Sequence, residues 1–169
     1  MSEMERRERV LVGVDGSPVS ERALAFAVQE ARLRGAVLVA VMAVDIPDYA
    51  WIDPYGTRTH PEEATLALAR EKLSRLVAAA GTDGLVVDEV VTAVPAAQAL
   101  VDRSEDGALL VVGSRGRGGF RGLVMGSVSM QCMLHAHCPV TVIRPEPEPD
   151  AAPARTVEDV RRETTAPSY

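Results

Sequence analysis

The chain has 169 residues, enough for one domain whose core needs neither disulfides nor a structural metal. Its net charge of −6 argues against a general nucleic-acid binder, which needs a basic surface to neutralise phosphates. Although 47% of the residues are apolar, none of the runs reaches the about 18 uninterrupted apolar residues that a membrane-spanning helix needs, so a soluble protein is expected.

The N-terminus, MSEMERRERV, mixes acids with arginines and lacks the apolar region of a secretory signal, which makes a cytoplasmic location the expectation. Arg9 to Val14 (RVLVGV) is a short apolar run ending in Asp-Gly-Ser-Pro, a buried strand followed by a turn and a helix start. Ser17 suits the cap and Pro18 the first helical position. Leu24, Ala27, Val28 and Ala31 then share one helical face, with Arg22, Gln29 and Arg32 away from it and Gly35 as the stop. Ala36 to Val44 (AVLVAVMAV) is apolar nearly throughout, the pattern of a parallel strand covered on both faces.

After a loop from Asp45 to His60, Pro61, Glu62 and Glu63 open a helix with Leu66, Ala69, Leu73, Leu76 and Val77 on one stripe and Gly81 as its stop. Leu85 to Val91 is the third strand, a short helix begins near Pro95, and Ala108 to Val112 is the fourth strand. A fourth helix starts near Ser127, and Val140 to Ile143 is the fifth strand. Strands alternating with helices of this length require right-handed parallel crossovers. The predicted fold is therefore α/β, a doubly wound five-stranded parallel sheet of order 3-2-1-4-5 with helices on both faces. It is expected to occupy residues 9–144, with residues 1–8 as a tail. Residues 145–169 contain PEPEPDAAPA and read as an extended linker; Thr156 to Glu163 allow a short helix that would dock a protein partner.

The densest chemical signal is Val112 to Ser129, VGSRGRGGFRGLVMGSVS, with five glycines after Gly113. Glycines permit positive φ and close approach of main-chain N–H groups to an anion, and a loop ending at a helix start adds that helix's free donors and positive dipole end. Ser127 and Ser129 add hydroxyls, and Arg115, Arg117 and Arg121 can neutralise part of a polyphosphate's charge. Ligands of open α/β sheets bind at the carboxyl ends of strands where the strand order reverses. In the order 3-2-1-4-5 that point lies between strands one and four, so Gly13, Val14 and Asp15 form the other half of the crevice. The Asp15 carboxylate either accepts from a ribose hydroxyl or adenine amino group, or caps its own turn.

Two better-known nucleotide motifs do not fit this loop. A P-loop needs lysine where Gly119 stands, and a dinucleotide fingerprint follows the first strand and needs glycine where Arg121 stands. The spacing Gly113-x2-Gly116-x9-Gly126-Ser127 instead resembles that of the ATP-binding subgroup of the universal stress protein family. The resemblance runs from about Arg9 to Arg144 and includes VGVDGSPVS, GSRGRGGFRGLVMGS and CPVTVIR. It implies that Gly113, Ser114, Gly116, Gly126, Ser127, Val128 and Ser129 hold phosphates and ribose, with Val14, Asp15 and Ala43 around adenine and ribose. The implied ligand is ATP, with a Mg2+ ion that needs few protein ligands. MQCM, Met130 to Met133, departs from the smaller residues expected in the helix of that family.

Other readings were weighed against this one. Cys132, His135, His137 and Cys138 cluster in sequence, but His137 and Cys138, read as adjacent at a strand start, point to opposite faces. Reduced, packed thiols are therefore expected rather than a metal site. The loop Asp45 to His60, which holds Trp51, Tyr49 and Tyr55, reads either as a lid or as an irregular surface or subunit-contact loop. A phospho-acceptor receiver domain shares the sheet order, but its required acids and lysine are replaced here by a lone Asp15, by Val91-Thr92 and by Arg144.

The expected function is nucleotide binding that shifts a loop or subunit arrangement in a stress response. The loop offers no general base, so any ATP hydrolysis is expected to be slow. A slow ATP hydrolase or phosphotransferase and a nucleotide-free interaction module are the alternatives. An apolar Val140 to Ile143 edge predicts a two-fold dimer, in line with the resemblance.

Overall fold

A computed structural model describes residues 8–45, 61–116 and 125–146. In chain order the elements are β1 (Arg9–Gly13), α1 (Pro18–Arg34), β2 (Val37–Ala43), α2 (Pro61–Ala79), β3 (Val87–Thr92), α3 (Ala96–Arg103), a 3-10 turn (Ser104–Asp106), β4 (Leu109–Gly113), α4 (Ser127–His135) and β5 (Val140–Ile143). The strands form one five-stranded sheet in the order β3-β2-β1-β4-β5, all neighbours parallel, as the sequence pattern predicts. Residues 46–60 of the loop that reads as a lid or an irregular loop, Arg117, Arg121 and the Thr156 to Glu163 segment that allows a short helix lie outside the described residues.

The central strands are apolar nearly throughout because both of their faces are covered. Alternate side chains leave a strand on opposite sides, so Val10 and Val12 join a core with Leu24, Ala27 and Val28 of α1 and Leu73 and Val77 of α2. Leu11, Val39 and Val41 point the other way, into a second core with Ala99 and Leu100 of α3 and Cys132 of α4. Two layers of helix thus sandwich the sheet. Truncating a fully buried leucine here, Leu24 or Leu38 for example, costs about 2–5 kcal/mol by lost contacts and cavity formation.

Local signals place the helix ends. Ser17 caps α1, its side chain accepting from the Ser20 amide, and Pro18 occupies the first turn. Gly35 ends α1 in the left-handed conformation at φ 61°. The third strand begins at Val87, two residues later than the apolar run suggests. Gly81 and Gly84 both take positive φ, and the Leu85 amide donates to the Thr82 carbonyl, so the chain is still turning at Leu85. The first strand ends at Gly13, yet the Val14 amide still donates to the Val41 carbonyl at 2.9 Å, which holds the chain beside β2 as it leaves the sheet.

Candidate functional site

The strand order reverses between β1 and β4, and a cavity of about 600 Å3 opens there at the carboxyl ends of the strands. One wall is the β1–α1 turn. Asp15 Oδ1 accepts from the Ser17 amide at 2.8 Å, and Ser20 Oγ accepts from the amides of Gly16 at 3.0 Å and Asp15 at 3.3 Å. Ser20 Oγ in turn donates to the Ser17 carbonyl at 2.9 Å. Gly16 stands at φ +79°, a conformation that glycine adopts without steric cost. The sequence left Asp15 between capping its turn and facing a ligand. In the structure its carboxylate caps the turn and the residue also lines the cavity.

The opposite wall is the β4–α4 loop. The Gly126 amide donates to the Ser114 carbonyl at 2.7 Å, and Ser129 Oγ donates to the same oxygen at 3.1 Å, folding the strand end onto the start of α4. Gly126 is the N-cap and offers no side-chain acceptor, so among the described residues nothing caps the donors of the first turn of α4, and they can meet an anion, backed by the positive end of the helix dipole. Ser127, Val128 and Ser129 of that turn all line the cavity.

Of the two expected roles of the loop's glycines, positive φ does not apply at the described ones. Gly113, Gly116 and Gly126 all lack positive φ. Gly113 and Gly116 are instead required by close approach. A Cβ at Gly116 would stand 2.7 Å from Asp15 Oδ2, and one at Gly113 would stand 3.0 Å from the Val19 side chain and 3.2 Å from the Arg115 carbonyl. Around Gly126 a Cβ would meet only ordinary contacts, the nearest at 3.6 Å.

Gly13, Val14, Asp15, Ala43, Gly113, Arg115, Gly116, Gly126, Ser127, Val128 and Ser129 come together around the cavity, although they arise from three strand ends and a helix start. Ser114 does not line it. Its backbone is engaged on both sides, the amide donating to the Ile143 carbonyl, and its side chain is buried with Oγ unpartnered among the described residues. Arg117 falls outside the described residues. Sequence reasoning missed Ser20, Val41, Ala96, Leu100, Val112 and Met125, which complete the lining. The Ser17-x2-Ser20 spacing at a helix start was a usable signal for Ser20. For Leu100 the sequence carried no such signal.

Sequence reasoning also missed Lys72, whose Nζ reaches from α2 to donate to the Asp15 carbonyl at 2.9 Å. A second, smaller cavity of about 230 Å3 lies beside it and shares Asp15 and Ala43 with the first.

The cysteine and histidine cluster lies elsewhere. Burial, reinforced by Cys138, pushes the Cys132 thiol up to about 11, and burial raises Cys138 as well, so both are protonated thiols at neutral pH. His137 and Cys138 sit in the turn before β5 rather than at its start, and the His137 amide donates to Ser104 Oγ at 2.9 Å. Among the described residues, groups of three or more His, Cys, Asp or Glu able to hold a metal do not occur, and helices long and apolar enough to cross a membrane are absent.

Comparison with known proteins bears on this site. The sequence model described as the universal stress protein family matches residues 6–144. Universal stress protein Rv2623 of Mycobacterium tuberculosis is 42% identical over 138 residues, an alignment that covers 80% of this chain and 44% of that protein. The chain spans a little under half the length of the curated relatives it matches. Among solved structures, the universal stress protein UspA from Lactobacillus plantarum is 25% identical with a TM-score of 0.68, covering 82% of this chain and 99% of that one. A universal stress protein crystallised in complex with cAMP is also 25% identical, with a TM-score of 0.56 and coverage of 82% and 97%.

Proposed function

This chain belongs to the universal stress protein family, and we propose that it is an ATP-binding member whose occupancy switches a stress response. The observation that carries the proposal is the position and build of the cavity. It lies at the strand-order reversal, between a turn that presents Asp15 and a helix N-terminus whose first-turn donors are uncapped. Its volume of about 600 Å3 falls in the usual range for small-molecule sites. The cAMP complex of a related universal stress protein supports adenosine as the ligand's common part.

In this reading the phosphates lie toward Gly113, Gly116 and the first turn of α4, with Arg115 offsetting part of their charge. The adenosine lies toward Val14, Asp15 and Ala43, on a floor made by Leu100 and Val112. Among the described lining residues Asp15 is the sole carboxylate, so a magnesium ion would be held chiefly by phosphate oxygens and water. Asp15 Oδ1 is engaged by the Ser17 amide and the described lining contains neither histidine nor lysine to activate a water, so in this reading the role is binding and any ATP hydrolysis is slow.

Two further parts of the proposal follow. The protein acts in the cytoplasm as a two-fold dimer through the outer edge of β5, Val140 to Ile143, which has no sheet neighbour among the described residues and can pair with a second copy. Its tail, residues 145–169, is the segment offered to a protein partner. The ligand test is direct. Purified protein is heat-denatured and the supernatant chromatographed; an adenine nucleotide in stoichiometric amount is expected, and no released nucleotide together with no uptake of added ATP would contradict the assignment. Solution scattering at micromolar concentration should return a dimer mass.

A further inference from the structure

Lys72 is the chain's one lysine. It projects from the middle of α2 to the β1–α1 turn, and its Nζ donates to the Asp15 carbonyl at 2.9 Å across 57 residues of sequence. A hydrogen bond from an ammonium is shorter and stronger than one between neutral groups. Gly16 makes room for this contact. A Cβ there would stand 2.2 Å from Lys72 Nζ and 2.5 Å from its Cε, so a side chain at Gly16 would displace the ammonium.

The turn also carries local bonds. Asp15 Oδ1 is met by the Ser17 amide, and the Asp15 and Gly16 amides by Ser20 Oγ, all within five residues. They shape the turn against the start of α1. Lys72 ties it to the helix packed beyond β2. What the turn presents is the Asp15 carboxylate, whose Oδ2 lies 2.7 Å from where a Gly116 Cβ would be, on the line where the two walls of the cavity meet.

We propose that Lys72 is a positioning residue of the nucleotide site: by holding the Asp15 carbonyl from α2, it fixes the peptide that carries Asp15 and keeps that carboxylate at the junction with Gly116. The inference rests on the nucleotide reading given above. Lys72→Met keeps the aliphatic stem and removes the ammonium, whereas Lys72→Arg keeps a cation. Lys72→Met should weaken ATP binding about tenfold while the thermal midpoint of the ligand-free protein stays close to the parent's, and Lys72→Arg should recover part of the affinity.

A second readout uses the uniqueness of the side chain. Reductive methylation with 13C-formaldehyde places one labelled lysine signal in the protein, distinct from that of the N-terminal amine. That signal should move on saturation with ATP. Affinity of Lys72→Met within twofold of the parent, or a lysine signal unmoved by ATP, would overturn the proposal. Should the parent itself bind no ATP, the nucleotide reading fails, and the positioning role is then decided in the ligand-free protein. The Gly16 and Ser17 amides should exchange with solvent at least about tenfold faster in Lys72→Met, and unchanged exchange would overturn it.

Discussion

The β1–α1 turn and the β4–α4 loop both leave the carboxyl ends of central strands and face each other across the cavity, yet side chains hold the first, whereas the described ends of the second are joined by the Gly126 amide and one hydroxyl, Ser129 Oγ, on the Ser114 carbonyl. In the turn, Asp15, Ser17 and Ser20 supply hydroxyl and carboxylate oxygens to main-chain amides, and Lys72 supplies a cation to a main-chain carbonyl. In the loop, Gly113 and Gly116 are small because neighbouring groups approach where a Cβ would stand, and Gly126 caps α4 without a side-chain acceptor. The contrast teaches a division of labour. Polar atoms of the turn are consumed in holding its shape, whereas those at the start of α4 are left for a ligand. Loss of the turn's own hydroxyl acceptor, Ser20, should therefore register first as stability, and damage to the loop, or to the tie that Lys72 makes from α2, first as affinity.

The largest expected effect tests the loop. In Gly116→Val the new side chain meets the Asp15 carboxylate and stands at the mouth of the cavity, while the backbone at Gly116 does not need positive φ. ATP affinity measured by calorimetry should fall about a hundredfold with the fold intact by circular dichroism. Parent-like affinity in this variant would break the comparison on the loop's side.

Ser20→Ala tests the turn. Ser20 is 4% exposed, and its loss leaves the Gly16 and Asp15 amides without their acceptor in a half-buried site. Urea unfolding should show a loss of about 2 kcal/mol, the cost of stranding donors away from water. A Ser20→Ala protein as stable as the parent would mean that the turn is not held as described.

The smallest effect sharpens the boundary of the site. Family resemblance places Ser114 among the phosphate ligands, but the structure buries it to 2% exposure outside the cavity lining, with Oγ unpartnered among the described residues. Removing an unsatisfied buried hydroxyl is close to neutral or mildly stabilising. Ser114→Ala should bind ATP within twofold of the parent and unfold at the same urea concentration or a slightly higher one. A tenfold loss of affinity would return Ser114 to the ligand shell.

Much of this fold was legible because its signals are local and repeated. Apolar runs such as Val37 to Met42 marked buried parallel strands, Ser17-Pro18 and Gly35 bracketed α1, and the β-α alternation left one economical sheet order. The site was legible where it follows from that order, since the ends of β1 and β4 must meet at the reversal. The rest depends on contacts without sequence periodicity. Lys72 reads as one polar position on α2, and the sequence does not say that it lands on a carbonyl 57 residues earlier. Leu100 belongs to the core with Cys132 and also lines the cavity, 3.0 Å from where a Gly13 Cβ would be, a contact that no periodicity announces. At Gly113 and Gly116 the sequence does not say which of two roles glycine plays, because dense glycine signals freedom of φ and tight packing equally well, and the structure shows tight packing.

The central claim, that the crevice between β1 and β4 is an adenine-nucleotide site, is tested most directly by titrating 15N-labelled protein with ATP and mapping the amide shifts. The account predicts the largest shifts at Gly13 to Gly16, Gly113 to Gly116 and Gly126 to Ser129, with the Val87 to Thr92 strand little changed. Shifts centred elsewhere on the molecule, or none at saturating ATP, would contradict it.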